Sequence, residues 1–314
     1  MEQTTQTSKQ IIITGGAGFL GKHLCRAISK AGYQIKVIDL KENPEFPTVI
    51  ADVQDAEKMK IEIKDSLAVF HLASLIEAGE SVKFPQKFVD FNISGTVSVL
   101  EAMRENGVNN FLFSSSAAIY GEPQRVPILE DDRTMPINPY GMTKLAMEAL
   151  VSSYSAAHQM TGVALRYFNL YGPEEHHEPE SHAIPRFIKQ IHNDEEVTVW
   201  GSGEHQRDYI FIHDVVSAHL KALELAQREP GKYHYFNLST ERPTAVIDII
   251  HVIEKAMNKQ AKIKNFPPRP GDPLVLVASA KKAHDELGWA SEVSLEEGIP
   301  QVVQYFQEFW KNHQ

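Results

Sequence analysis

The 314-residue chain has one cysteine, Cys25. A lone thiol closes no internal bridge, so the chain reads as a protein of a reducing compartment. Cys25 follows the first strand-like run among apolar neighbours and reads as a small buried hydrophobe. Long apolar runs are missing too: no stretch approaches the roughly 20 residues that span a bilayer. The first ten residues are polar and lack the apolar core of a secretory signal, so they read as a flexible N-terminus and the chain as cytoplasmic. Positive charge is in deficit, with 31 Lys and Arg against 41 Asp and Glu for a net charge of −10. That balance disfavours nucleic acid and anionic membrane as partners, while a few local arginines can still hold a small anion. Internal repeats and long flexible linkers are absent. The composition, 42% hydrophobic and 23% charged, is that of a globular protein. The length suits two domains, or one large α/β unit with an appended lobe.

Ile11 to Thr14 is a short β-branched run, followed at once by the glycine cluster Gly15 to Gly21. Helical spacing then carries Leu24 and Ile28 to a stop at Gly32, and Gln34 to Asp39 reads as a second strand. Strand, glycine turn, helix and strand make one βαβ unit. The alternation continues through Val69 to Leu72, a helical stretch from Pro85 to Glu105, Phe111 to Phe113, a helix from Tyr140 to His158, and Val163 to Tyr167. It predicts an α/β fold, a Rossmann-type doubly wound parallel sheet with helices on both faces. Residues 11–172 form the expected dinucleotide-binding domain, with return segments from later in the chain. Residues 173–314 form a smaller α/β substrate lobe. There, short strands at Val197 to Trp200, Tyr209 to Ile212 and Tyr233 to Asn237 alternate with helices at Asp214 to Ala226, Ala245 to Met257 and Leu295 to Trp310.

Gly15, Gly18 and Gly21 clear side chains from a helix start, where free N–H groups and the helix dipole attract a pyrophosphate. The glycines alone are a weak signal; their place between a strand and a helix strengthens it. Asp39 ends the second strand, where a carboxylate accepts both adenosine ribose hydroxyls and repels a 2′-phosphate. NAD is therefore the expected cofactor. Asp52 and Val53, past the third strand, read either as an adenine contact or as a turn. Tyr140 and Lys144 are one helical turn apart and share a face. A nearby ammonium favours the phenolate, and a phenolate is a general base for a sugar hydroxyl. Ser114 to Ser116 end a strand at the sheet edge where parallel sheets bind ligands, so a serine there can bridge substrate and Tyr140.

The stretches Thr14 to Gly21, Tyr140-x-x-x-Lys144 and the serine run resemble the extended short-chain dehydrogenase/reductase family. Gly79 to Val82, Phe113 to Gly121, Arg166 to Asn169, Arg207 to Tyr209 and Arg269 to Asp272 sharpen the likeness to its UDP-glucose 4-epimerases, from about Gln10 to Trp289. The resemblance implies an NAD-dependent isomerase that inverts C4 of a UDP-sugar, with Ser116, Tyr140 and Lys144 catalytic. It places Gly15, Gly18, Phe19, Leu20, Gly21, Asp39, Asp52, Val53, Leu72, Ala73, Ser74, Asn92, Ser114 and Tyr167 on the cofactor. It places Asn169, Thr198, Trp200, Arg207, Val246, Arg269 and Asp272 on the UDP portion. Two arginines suit a diphosphate, and Asp272 suits ribose hydroxyls.

Related dehydratases carry an acidic pair just after the serine position, and related decarboxylases a Glu. Here those places are Ala117 and Ala118, which cannot shuttle a proton, so reversible hydride transfer is what remains. The chain departs from the pattern at Ile76, where some epimerases have lysine near the cofactor, and at Leu276, where a bulky aromatic is linked to sugar size. The latter leaves N-acetylated and uronic sugars open. The resemblance also implies a homodimer formed through the Pro85–Glu105 and Tyr140–His158 stretches. A non-catalytic NAD-binding protein and a one-way oxidoreductase on a different carbonyl are the competing readings; the joint presence of Ser116, Tyr140 and Lys144 speaks against the first, and Arg207 with Arg269 against the second. The Glu- and His-rich run 174–182 lacks zinc-type spacing and reads as a solvated loop with no metal. Asp214 reads as a helix N-cap, and Phe306, Phe309 and Trp310 as a packing stripe.

Overall fold

A computed structural model describes residues 10–176, 182–267 and 273–312 of the chain. The flexible terminus expected over the first ten residues lies, apart from Gln10, outside the described residues.

Seven strands form the principal sheet, in the order Tyr233–Leu238, Thr161–Tyr167, Asn110–Ser116, Ala68–His71, Gln10–Thr14, Gln34–Asp39, Thr48–Ile50. The pairings from Thr48–Ile50 to Asn110–Ser116 are all parallel. Ile11 to Ile13, Ala68 to Phe70 and Phe111 to Phe113 are fully buried, as strands covered on both faces must be. The strand order runs outward in both directions from Gln10–Thr14, which places a switch point beside the glycine turn that follows it. The strand Tyr233–Leu238, which the sequence pattern assigns to the small lobe, returns to the edge of this sheet.

Local chemistry accounts for the helices that carry the site. In Phe19–Lys30, Leu20, Leu24, Cys25 and Ile28 make one buried stripe. Cys25 is buried as expected. In Pro139–His158, Asn138 caps the start by accepting from Gly141 N at 2.8 Å, Pro139 sits where its missing N–H is harmless, and Gln159 ends the helix at φ +55°. The stretch 85–105 is not one regular helix. It divides into Pro85–Phe88, a wider turn Val89–Ser94 and Gly95–Asn106. Thr96 Oγ1 donates to Asn92 O at 2.6 Å, and such a side-chain bond competes with the helical ladder.

Two compact units emerge. The first takes residues up to Ile119, Asn138–Arg166 and Ala218–Phe236; the second takes Tyr120–Ile137, Tyr167–Ser217 and the chain from Asn237 onward. In the second unit, Asn169–Tyr171 pairs with Tyr209–Phe211, Gln206–Arg207 lies between Thr244–Ala245 and Val275–Leu276, and Glu196–Trp200 pairs with Lys262–Phe266. Asp214 is not an N-cap: the helix Ile212–Arg228 already opens at Ile212, and Asp214 instead accepts from Val293 N at 3.1 Å. Glu175 is buried rather than solvated, and His182 Nδ1 bonds its carboxylate at 2.5 Å. Phe306 is buried, and Phe306 and Phe309 surround His176. Among the described residues no helix is long and apolar enough to cross a membrane.

Candidate active site

The glycine turn has no room for side chains. A Cβ on Gly15 would lie 2.6 Å from Ala73 N, and Gly15 itself has φ +73°, a region L side chains rarely adopt. A Cβ on Gly21 would collide with the Gly15 carbonyl. Gly18 opens the helix Phe19–Lys30, and no side chain caps that start among the described residues. Asp39 Oδ2 accepts from Ala17 N at 2.9 Å and Oδ1 from Lys41 N at 3.1 Å. The carboxylate thus holds the turn while keeping lone pairs for hydroxyl donors.

At the far end of Asn110–Ser116 the groups expected to be catalytic come together. Lys144, 1% exposed, donates from Nζ to Ser74 Oγ and to Ser114 O, both at 2.8 Å. The Ser116 hydroxyl ends the same strand and acts on the Tyr140 phenol, favouring its ionised form. The Lys144 ammonium lies 5.9 Å from the Tyr140 ring centre. Ser114 Oγ is buried and has no hydrogen-bond partner among the described residues, the mark of a polar atom awaiting a ligand.

The electrostatics correct one expectation. The one-turn spacing predicts a phenol lowered by its ammonium, yet burial pushes Tyr140 above the usual phenol range. The Ser116 hydroxyl opposes that rise, and the Glu77 carboxylate adds to it. The same burial brings the Lys144 ammonium down to about 7. Dry surroundings disfavour both charges, and Lys144 spends its hydrogen bonds on Ser74 and Ser114, not on the phenol oxygen.

A buried relay that no local pattern reveals supports these groups. Thr96 gives its proton to Asn92 O, so it can only accept from His71, at 3.1 Å from Nε2. His71 Nδ1 then accepts from Thr14 Oγ1 at 2.8 Å, which fixes the neutral tautomer. Burial holds the imidazole down to about 3, with Lys144 adding to the effect. Asn92 Oδ1 accepts from Leu75 N at 2.8 Å, and Nδ2 donates to Leu75 O and to Thr143 Oγ1. Thr143 in turn donates to Tyr140 O at 2.8 Å. Asn92, expected to line the cofactor, thus spends its side-chain amide on positioning. The missed members, Thr14, His71, Thr96 and Thr143, lie too far apart in sequence for spacing to link them.

The remaining candidates are placed as follows. Phe19 and Leu20 begin the glycine-turn helix. Leu72 N donates to Thr14 O and Ala73 N to Thr14 Oγ1. Asp52 accepts from Gln54 N at 2.9 Å, a turn arrangement, and the Val53 side chain packs in the core. Tyr167 ends the strand Thr161–Tyr167. In the second unit, Asn169 Nδ2 donates to Asp208 O at 2.9 Å, Thr198 N to Gln190 Oε1 at 3.3 Å and Arg207 Nη1 to Gln206 O at 2.8 Å. Trp200 is 37% exposed, its ring centre 5.4 Å from that of Phe266, and Val246 begins the helix Val246–Met257. Asp208, also missed, is buried and accepts from Ser239 Oγ and from Thr240 N and Oγ1. Arg269 and Asp272 lie outside the described residues.

Residues 11–238 match the NAD dependent epimerase/dehydratase family. A UDP-glucose 4-epimerase of Rhizobium leguminosarum bv. trifolii is 36% identical over 310 residues, covering 92% of this chain and 94% of that one. The crystal structure of the Thermotoga maritima UDP-glucose 4-epimerase with UDP-glucose superposes with a TM-score of 0.89 at 32% identity, covering 96% of this chain and 99% of that one. The Brucella ovis UDP-glucose 4-epimerase in complex with NAD gives 0.90 at 33% identity, covering 95% and 98%.

Proposed function

This chain belongs to the NAD dependent epimerase/dehydratase family, and on that premise we propose that it inverts C4 of a UDP-hexose, interconverting UDP-glucose and UDP-galactose. The observation that carries the reading is the convergence of Ser116, Tyr140 and Lys144 on one sheet edge, beside the orphaned Ser114 hydroxyl. The residues present fit NAD: a glycine turn a Cβ would fill, an uncapped helix start, and Asp39 with lone pairs to spare.

When bound, NAD supplies the hydride acceptor and donor for C4. Tyr140 takes the 4-hydroxyl proton and returns it. Ser116 bonds the same oxygen and steadies the developing 4-keto group. Lys144, bonded to Ser74 and to the Ser114 carbonyl, holds the strand end in place beside the phenol. Ala117 and Ala118 offer no second acid or base, so the keto sugar has no route to water loss. In the second unit, Asn169, Thr198, Trp200 and Arg207 are assigned to the UDP end. A sugar held by its nucleotide can turn over and receive the hydride on its opposite face. Homodimer formation through Pro85–Glu105 and Tyr140–His158, and a cytoplasmic location, complete the proposal. Leu276 lies in the strand pair with Arg207, a neighbourhood consistent with a role in sugar selection.

Replacing Tyr140 with Phe tests the reading, with products followed by NMR over UDP-glucose, UDP-galactose and their N-acetyl and uronic analogues. A loss of about 100- to 10,000-fold in kcat is expected. Undiminished turnover ends the proposal.

A further inference from the structure

Glu148 takes no part in the chemistry above, yet it lies four residues past Lys144 and eight past Tyr140, on the same stripe of the helix. It is 4% exposed, and its partner Arg166 5%. Arg166 donates from Nε to Oε1 at 2.9 Å and from Nη2 to Oε2 at 2.6 Å. Tyr233 donates to Oε2 at 3.2 Å, and Ser115 donates to Oε1. The carboxylate is thereby saturated. The guanidinium in turn lies 4.5 Å from the Tyr235 ring centre. Burying such a pair is expensive, and apolar replacements of equal volume are often as stable, so stability alone explains it poorly.

Its point of attachment suggests the reason. Ser115 stands between Ser114, whose carbonyl holds Lys144, and Ser116, which ends the strand beside the Tyr140 phenol. Alternation along the strand turns Ser115 away from the side that Ser114 and Ser116 share. It joins Phe111 and Phe113, which pack with Met147 and Val151 of the Tyr140 helix. Ser114 and Ser115 are thus tied to two successive turns of one helix, at Lys144 and Glu148.

We propose that Glu148, fixed by Arg166, is a positioning residue for epimerisation: through Ser115 it sets the height of the serine strand end against Tyr140 and Lys144. The proposal rests on the C4-inversion reading. A slip of about 1 Å between strand and helix would misplace both the proton-transfer groups and the bond that holds Lys144, and slips of that size lower rates strongly.

The test uses Ser115→Ala and Glu148→Gln in the full chain with NAD and UDP-galactose. Ser115→Ala removes one bond from the back of the site, so it decides the matter even if Glu148→Gln folds poorly. Expected for Ser115→Ala is a fall of about 10-fold in kcat and in the first hydride transfer, read from NADH absorbance, with KM and UDP affinity within about twofold of wild type. A kcat within twofold of wild type overturns the clamp, as does a loss of UDP affinity as large as the loss of kcat. Inactive wild type sinks the C4-inversion reading and the clamp with it; active wild type with an unmoved Ser115→Ala sinks the clamp alone.

Discussion

Lys144 in the first unit, proposed for the chemistry, and Trp200 in the second, proposed for the UDP end, are built in two ways. Lys144 is 1% exposed, bonded to a side chain and a carbonyl, and pulled down to about 7 by its dry surroundings. Trp200 is 37% exposed, with the Phe266 ring tilted against it at 5.4 Å. The contrast extends to their neighbours. Around Tyr140, the polar groups Asn92, Thr143 and Thr96 are bonded to one another, and Ser74 is bonded to Lys144. Proton transfer is governed by pKa, and pKa is governed by desolvation and fixed partners, so those groups must be buried and pinned. A group that grips one end of a ligand needs surface for contact, and it can wait in water until the ligand covers it.

Variants of the two kinds should therefore fail differently. Tyr140→Phe, the largest effect, should abolish nearly all turnover while leaving UDP binding by calorimetry within about twofold; a matching loss of UDP affinity would erase the division between the two regions. Lys144→Met should cost about 100-fold in kcat/KM at pH 7. Lys144 spends its bonds on Ser74 and Ser114 and not on the phenol, so the loss is one of tethering and the acid limb of the pH–rate profile should stay in place. A limb moved to higher pH would mean that the Lys144 charge does set the phenol. Trp200→Ala should raise KM by about 10-fold, near the 1.4 kcal/mol that one stacked ring supplies, with kcat nearly unchanged.

His71→Gln gives the smallest effect on rate and sharpens the account of the dry region. Folded His71 sits at about 3 against an ordinary value of 6.5, so the unfolded chain takes up a proton below 6.5 that the folded chain refuses. Stability is therefore lost as pH falls from 6.5 toward 3, at up to about 1.4 kcal/mol per pH unit from this group. Denaturant unfolding at pH 7 and pH 5 should show a shallower loss in the variant. An equal loss in both proteins would place the acid sensitivity elsewhere.

How much of this was legible beforehand depended on distance along the chain. Gly15 to Gly21 announced its turn because a glycine cluster between a strand and a helix has few other uses. Tyr140 and Lys144 were readable as a pair because helical spacing puts them on one face. Helix edges were readable to within a few residues, but the wide turn Val89–Ser94, with Thr96 bonded back to Asn92 O, was not. The sign of the Tyr140 shift was also misread. Spacing shows that an ammonium is near, whereas the balance between that charge and lost hydration depends on what packs around both. Asp214 was misplaced as a cap because its partner, Val293, lies far along the chain.

The amino-acid order by itself determined the alternation of strand and helix, the glycine turn, the acidic end of the second strand and the one-turn Tyr140–Lys144 pair, because each follows from backbone geometry within a few residues. Tertiary structure alone decided that His71 is neutral, that Glu148 and Arg166 meet in the interior, and that Ser114 keeps an unanswered hydroxyl. Hydration, dielectric and hydrogen-bond partners are set by whichever residues fold into contact, and those contacts join positions as far apart as Thr14 and His71, or Glu148 and Tyr233.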